Sequence, residues 1–170
     1  GKLGKTKVEF DSYYGFQSFW NKLDMANSKE FATLANRAYI NSNLEPNPAW
    51  ANPASLSNTD WQDAVTRNGA IQNYNLSVSG GSEKFKAALS IGYNKTEGPI
   101  IVSAYDRYTI RLNSDYEVSG WLKFGANLSF SRSSSNGVPV NDGTSGILNQ
   151  AVQMWPDQPV YKADGSYNIL

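Results

Sequence analysis

The sequence predicts an all-β fold, an antiparallel up-and-down sheet of about five strands, and three observations predict it. One stretch near the amino end and four between residues 72 and 132 alternate apolar and polar side chains with the two-residue period of a strand. Two pairs of these stretches are separated by only a few turn-forming residues, as in consecutive hairpins. No run of about 18 apolar residues occurs, so the hydrophobic content, 40% of the chain, is spread over alternate positions and is not gathered into a membrane-crossing helix.

Residues 5 to 16, KTKVEFDSYYGF, set Val8, Phe10, Tyr14 and Phe16 against Lys7, Glu9, Asp11 and Tyr13, with Ser12 interrupting the apolar side. They form the first strand. The following connection, 17 to 71, is too long for a bare loop and is expected to carry structure of its own. In NSKEFATLANRAYINS, Phe31, Leu34, Ala35, Ala38 and Tyr39 recur at helical spacing with Asn27 or Ser28 as the N-cap, which predicts a helix near 28–41. Pro46, Pro48 and Pro53 then break regular structure, and Thr59 to Gln62 has the pattern of a capping box opening a short helical turn.

In QNYNLSVSGGSEKFKAALSIGYNKTEG, residues 72 to 98, Tyr74, Leu76 and Val78 share a face with Phe85, Ala87, Leu89, Ile91 and Tyr93. A two-residue turn at Gly81 and Ser82 pairs Val78 with Phe85, Leu76 with Ala87 and Tyr74 with Leu89. A medium loop in NKTEGPIIVSAYD leads to strand four, where Tyr108, Ile110, Leu112, Tyr116 and Val118 alternate with Arg107, Thr109, Arg111, Asn113, Asp115 and Glu117. A three-residue turn at 119 to 121 leads to strand five, with Leu122, Phe124, Ala126, Leu128 and Phe130 on the same face and Glu117 opposite Lys123. From 133 to 170 the chain reads as loop, with a helix signal in TSGILNQAVQM and a tight turn at Asp164-Gly165.

One face of this sheet is apolar and the other polar. A soluble β-barrel would turn the apolar face inward around a small apolar ligand; a membrane barrel would turn it outward to lipid and leave the polar face to a watery lumen. Strand length favours lipid. Phe85 to Tyr93, Tyr108 to Tyr116 and Leu122 to Phe130 are each eight residues apart, roughly 26 Å along a strand. Tilted as in a barrel this spans about 20 Å, near the ~25 Å apolar band of outer-membrane barrels, with aromatic rings near its edges. Short turns after strands two and four and longer connections after one, three and five repeat the periplasmic and extracellular pattern of such barrels. Five strands do not close a barrel, so the sheet is expected to be a transmembrane segment of a larger one, with short helices in long extracellular loops.

Composition narrows the chemistry. Fifteen basic and fifteen acidic residues cancel, which disfavours nucleic acid as a partner. There is no Cys and no His, so thiolate metal sites, a Cys nucleophile, Ser-His-Asp relays and HExxH sites cannot be built from these residues, and no enzymatic function and no cofactor are expected. The opening GKLGKTKVEF has no apolar core of the kind a signal peptide carries.

In order along the chain, KVEFDSYYGFQ, NSKEFATLANRAY, NLSVSGG, YDRYTIRLN, WLKFGANL and QPVYKADGSY resemble the start of the barrel in SusC/RagA-type TonB-dependent outer-membrane transporters. The resemblance extends over essentially the whole chain. It implies a roughly 22-stranded barrel in the outer membrane with an amino-terminal plug in its lumen. It also implies a SusD-like lipoprotein partner, an oligosaccharide or peptide solute, and energy relayed by TonB through a plug that lies outside these 170 residues. On this reading residues 1–16 are the plug-to-barrel junction and first strand, with GKLGK as the junction. Residues 17–71 are an extracellular loop, 72–132 four strands in two hairpins, and 133–170 an extracellular loop region.

Two sets of side chains are candidates for function. Trp50, Trp61 and Trp155 lie on the expected outer segments, where indoles stack on sugar faces or dock a partner, or else pack the long loops. Lys84, Lys86, Arg107, Arg111, Asp115, Glu117 and Lys123 belong to the polar face, where they hold the plug, line the solute route, or simply solvate a lumen wall. Asp60, Asp63 and Glu97 lack EF-hand spacing and are read as caps or solvated charges.

Overall fold

The structure is a computed structural model, which describes residues 4–139 and 143–168. Part of the expected junction, residues 1–3, therefore lies outside the described residues, as do 140–142 and 169–170 in the final loop region. The chain forms two compact units, one from Gly1–Ser18 and Asn68–Gly137, the other from Phe19–Arg67 and Val138–Leu170.

The first unit is a five-stranded sheet in chain order: β1 (Gly4–Gln17), β2 (Gly69–Gly81), β3 (Phe85–Glu97), β4 (Ala104–Ser119) and β5 (Leu122–Asn136). Every neighbouring pair is antiparallel, so the sheet is an up-and-down meander. The two-residue period aligns like side chains from strand to strand. Phe10, Leu76, Ile91, Ile110 and Phe130 form one continuous row across all five strands, and Val8, Val78, Leu89, Leu112 and Leu128 form the next. Aromatic rows bound them. Tyr74 stacks on Tyr93 with centroids 6.4 Å apart, Tyr93 meets Tyr108 at 4.8 Å, and toward the tight turns Phe85 meets Tyr116 at 6.3 Å. Just beyond the tyrosines, on the same face, stands a polar row of Tyr14, Gln72, Lys95, Asp106 and Ser134. Within the sheet unit the apolar rows are left uncovered, with Phe10, Phe124, Leu128 and Phe130 each about 60% exposed or more.

Three features of the sheet differ from expectation. The β2–β3 register is shifted by four, with Val78 opposite Leu89, Leu76 opposite Ile91 and Tyr74 opposite Tyr93. The glycines do not turn: neither Gly80 nor Gly81 has positive φ, and β2 runs through both. The reversal falls at Glu83-Lys84, closed by Ser82 N–H donating to the Phe85 carbonyl at 2.7 Å, while Phe85 N–H donates to Ser82 Oγ at 3.2 Å. This gain of ladder length keeps every side chain on its expected face, because an even slip preserves parity. The second difference is length. β3 and β4 continue through polar residues past the tyrosine row, so only 98–103 remain as loop, with Gly98 N–H donating to Ser103 O at 2.9 Å. The connection after strand three is therefore short, and the clean alternation of short and long connections does not hold there. The third lies at the β4–β5 turn: the pairing is as expected up to Glu117 opposite Lys123, with Leu112 opposite Leu128, but a register shift after Glu117 places Ser119 opposite Leu122, so the reversal falls at Gly120-Trp121 and not at 119–121.

The second unit is built on α1 (Ser28–Asn41), α2 (Trp61–Val65) and α3 (Ile147–Gln153), with single 3-10 turns at Pro48–Trp50, Pro53–Ser55 and Gly143–Ser145. A full capping box opens α1: Asn27 Oδ1 accepts Glu30 N–H at 3.0 Å and Glu30 Oε2 accepts Asn27 N–H at 3.0 Å. Its buried stripe is turned relative to the periodicity. Ala32 is fully buried while Leu34 is 60% exposed, because the small residues Ser28 and Ala32 allow close approach. The cap of α2 is Asp60, whose Oδ1 accepts Asp63 N–H at 3.0 Å, and not Thr59. Thr59 instead donates through its hydroxyl to Gln158 O at 2.7 Å, and Gln62 bonds the Leu23 backbone in both directions.

Candidate functional site

The polar face of the sheet carries two separate groups of the charged residues singled out in the sequence. Near the tight turns, Lys84, Lys86, Asp115, Glu117 and Lys123 surround a hollow of about 270 Å³. Opposite charges face each other in this group: Lys86 stands opposite Asp115, and Lys123 Nζ lies 3.3 Å from Glu117 Oε2. The backbone joins them, as Glu117 N–H donates to the Lys84 carbonyl at 2.7 Å. Such exposed pairs add little stability but leave the local charge balanced.

Arg107 and Arg111 form the other group, four residues apart on β4 and on the same face. They border a hollow of about 320 Å³ over Gly92, with Asn73, Asn75, Ser90, Asn94 and Thr109 around it. A Cβ at 92 would meet Asn75 Oδ1 at 2.7 Å, so any side chain there would push the Asn75 amide aside. Asn75 in turn donates to Asn73 Oδ1 at 2.7 Å, and Arg107 Nε donates to Ser131 Oγ at 3.2 Å.

In the second unit the three candidate tryptophans have three different fates. Trp50 is 4% exposed. Its ring meets Phe31 at 5.5 Å, Tyr39 at 6.1 Å and Trp155 at 5.9 Å, and its Nε1–H donates to Asp157 Oδ2 at 2.8 Å. Trp155 keeps 52% of its surface exposed while its ring packs on Phe31 at 5.8 Å. Trp61 donates through Nε1–H to Trp155 O at 2.9 Å and lines a cleft of about 230 Å³ with Leu23, Met25, Met154 and Pro156. The three indoles are thus brought to one cluster around the start of α1. Asp60 is a cap, Asp63 is paired with Lys22, and Glu97 lies 2.9 Å from Lys95.

Sequence reasoning passed over two other tryptophans. Trp20 is 99% exposed and Trp121, at the β4–β5 turn, is 85% exposed. Their flanks, SFWNK and SGWLK, gave the only available signal, an indole beside turn-forming or polar residues.

No family model matches the chain. Among curated proteins it is 34% identical over 174 residues to TonB-dependent receptor P3 of Formosa agariphila, covering 99% of this chain and 16% of that one. It is 28% identical over 177 residues to TonB-dependent receptor SusC of Bacteroides thetaiotaomicron, again covering 99% of this chain and 16% of the relative. The chain thus spans about a sixth of the length of these relatives. Among solved structures it is similar to the RagAB peptide importer in its closed-closed state, with TM-score 0.73, 20% identity, and coverage of 99% of this chain and 22% of that one. That likeness is one of fold. Among the described residues no helix is long and apolar enough to cross a membrane, which leaves crossing by strands untouched.

Proposed function

Because the chain belongs, over nearly all its length, to the SusC/RagA-type TonB-dependent receptors, we propose that it forms part of the wall of an outer-membrane barrel that imports nutrients. The apolar face meets lipid and the polar face lines the lumen. The observation that carries this reading is the pair of unbroken apolar rows, Phe10 to Phe130 and Val8 to Leu128, backed by a face of Asn, Ser, Thr and charged residues. The solute is an oligosaccharide or a peptide, the energy arrives through TonB, and a SusD-like lipoprotein closes the extracellular side. The names of the relatives support import of that kind, SusC as a TonB-dependent receptor and RagAB as a peptide importer.

In this reading the second unit, from 19–67 and 138 onward, stands on the extracellular side, where half-exposed Trp155 and cleft-lining Trp61 contact solute or lipoprotein and Trp50 holds the cluster together. The five charges near the turns face the lumen or its plug. Deleting the gene for the full receptor tests the reading. Uptake of one class of oligosaccharide or peptide should be lost, and a tagged receptor should fractionate with the outer membrane and copurify with a lipoprotein. Recovery in the soluble fraction, with uptake of both solute classes intact, would reject it.

A further inference from the structure

We propose that Arg107 and Arg111 form a carboxylate-binding subsite over the hollow at Gly92. This rests on the reading of the polar face as a lumen and specifies the solute it handles. The argument begins with charge. Elsewhere on this face Lys7 bonds Glu9, Lys86 faces Asp115, Lys123 pairs with Glu117, and Lys84 shares its hollow with Glu83 and Glu117. Among the described residues Arg111 has no hydrogen-bond or ion-pair partner, and Arg107 has only the neutral hydroxyl of Ser131. The nearest acidic residues on the same face of the sheet are Asp115, four residues along β4, and Asp11 and Glu9 on β1, three strands away. Either path is about 13–14 Å at strand spacings. These are backbone separations, and among the described residues neither arginine has a carboxylate in ion-pair contact, so the two positive charges are left without a bonded anion.

Shape and chemistry then select the ligand. The hollow holds about 320 Å³ and its floor is Gly92, so backbone is accessible between the two guanidinium groups. Anchoring of Arg107 Nε on Ser131 fixes one guanidinium plane, which prepares its remaining N–H groups for a planar two-oxygen acceptor. Asn75 and Thr109 add neutral hydrogen-bonding groups suited to hydroxyls or amides beside that acceptor. Oligosaccharides and peptides both supply such an acceptor, as uronic acid carboxylates or as acidic side chains and chain ends. An acidic side chain elsewhere in the same receptor would supply the same group.

The test uses the full-length receptor in outer-membrane vesicles and the arginine reagent phenylglyoxal, with site-resolved modification rates read by mass spectrometry. Exposed Arg37 on α1 is the internal reference. Trigalacturonate should slow modification of Arg111 and Arg107 several-fold while the neutral trisaccharide maltotriose leaves the rates unchanged. If both arginines are unreactive without added sugar and become reactive once receptor carboxyls are blocked with a carbodiimide, the subsite is real and its occupant is a carboxylate of the receptor itself. Modification as fast as at Arg37 with no protection, or equal protection by maltotriose, overturns the proposal. The transporter reading fails on a different readout, undiminished nutrient uptake by a strain lacking the receptor.

Discussion

Leu112 on β4 lies directly opposite Leu128 on β5, and the next pair along, Asn113 and Asn127, turns to the other face. This parity holds from Ala104 to Glu117 and along the facing part of β5, and it sets the expected contact with solvent. A spin label at Leu112 should be quenched by a lipid-soluble relaxation agent, and one at Asn113 by a water-soluble one. The reverse result would place the polar face against lipid.

Energetics should show the same asymmetry. Leu112 is in the middle of the three rows between the two aromatic borders, so Leu112→Arg should cost roughly 2–4 kcal/mol of barrel stability, as cations do near the midplane of a membrane barrel. Asn113→Arg should cost far less. Reversible unfolding in detergent or lipid, compared between the two variants, checks this; equal losses would count against a lipid-facing Leu112.

Trp50 should be the anchor of the second unit. Replacing a buried large aromatic by alanine typically costs about 3–5 kcal/mol, and Trp50→Ala would also remove the Nε1–H that Asp157 Oδ2 accepts. Limited proteolysis within 19–67 should accelerate strongly in Trp50→Ala and only mildly in Trp155→Ala, whose ring is half exposed.

The segment between α1 and the first 3-10 turn should be readable from outside the cell. Leu44 and Glu45 are exposed and follow Asn43, whose φ of 55° marks the end of the helical path. An epitope inserted between them should bind antibody on intact cells. Binding only after permeabilisation would invert the topology.

The Asp164-Gly165 turn should respond to acid. Ser166 donates to Asp164 Oδ1 through its hydroxyl at 2.7 Å and its N–H at 2.9 Å, and these bonds hold the Asp164 carboxyl below its ordinary value. A lowered native pKa means that the carboxylate stabilises the turn fully above the ordinary aspartate range and that this contribution is lost as pH falls through the lower, native value. A carboxyl-resolved NMR titration, assigned with Asp164→Asn, should show the midpoint displaced to lower pH. A midpoint at or above the usual aspartate value would mean that the Ser166 bonds do not persist.

How much of this was legible in the sequence depends on the range of the interaction. Parity is local, so the faces of Tyr74, Leu89, Leu112 and Phe124 could be read directly, and matching those faces gave the β4–β5 register up to Glu117, though not the shift that pairs Ser119 with Leu122. The β2–β3 register could not. Gly80-Gly81 has the composition of a turn, but Ser82 offers its hydroxyl to Phe85 N–H and lets the ladder extend by two pairs, a competition that propensity does not rank. The polar ends of β3 and β4 were hidden for a related reason: Asn94 to Glu97 carry no apolar alternation, and only pairing with β4 reveals them as strand. Trp50 and Trp155 meet across more than a hundred residues, beyond any local pattern, so the sequence offered the two indoles without their contact. The Gly92 hollow was equally invisible, because it depends on three strands being in register.

The tyrosine row and the polar row immediately beyond it work as a waterline. Sliding the sheet toward its tight turns by one row would carry Lys95 and Asp106 into hydrocarbon, and sliding it the other way would bring the charged turn residue Glu83 to its edge. Each direction meets the cost of burying charge within a few ångströms of travel. The draught of this wall is therefore set by its own side chains, and in a bilayer of different thickness the lipid should stretch or compress around the barrel while the barrel keeps its depth.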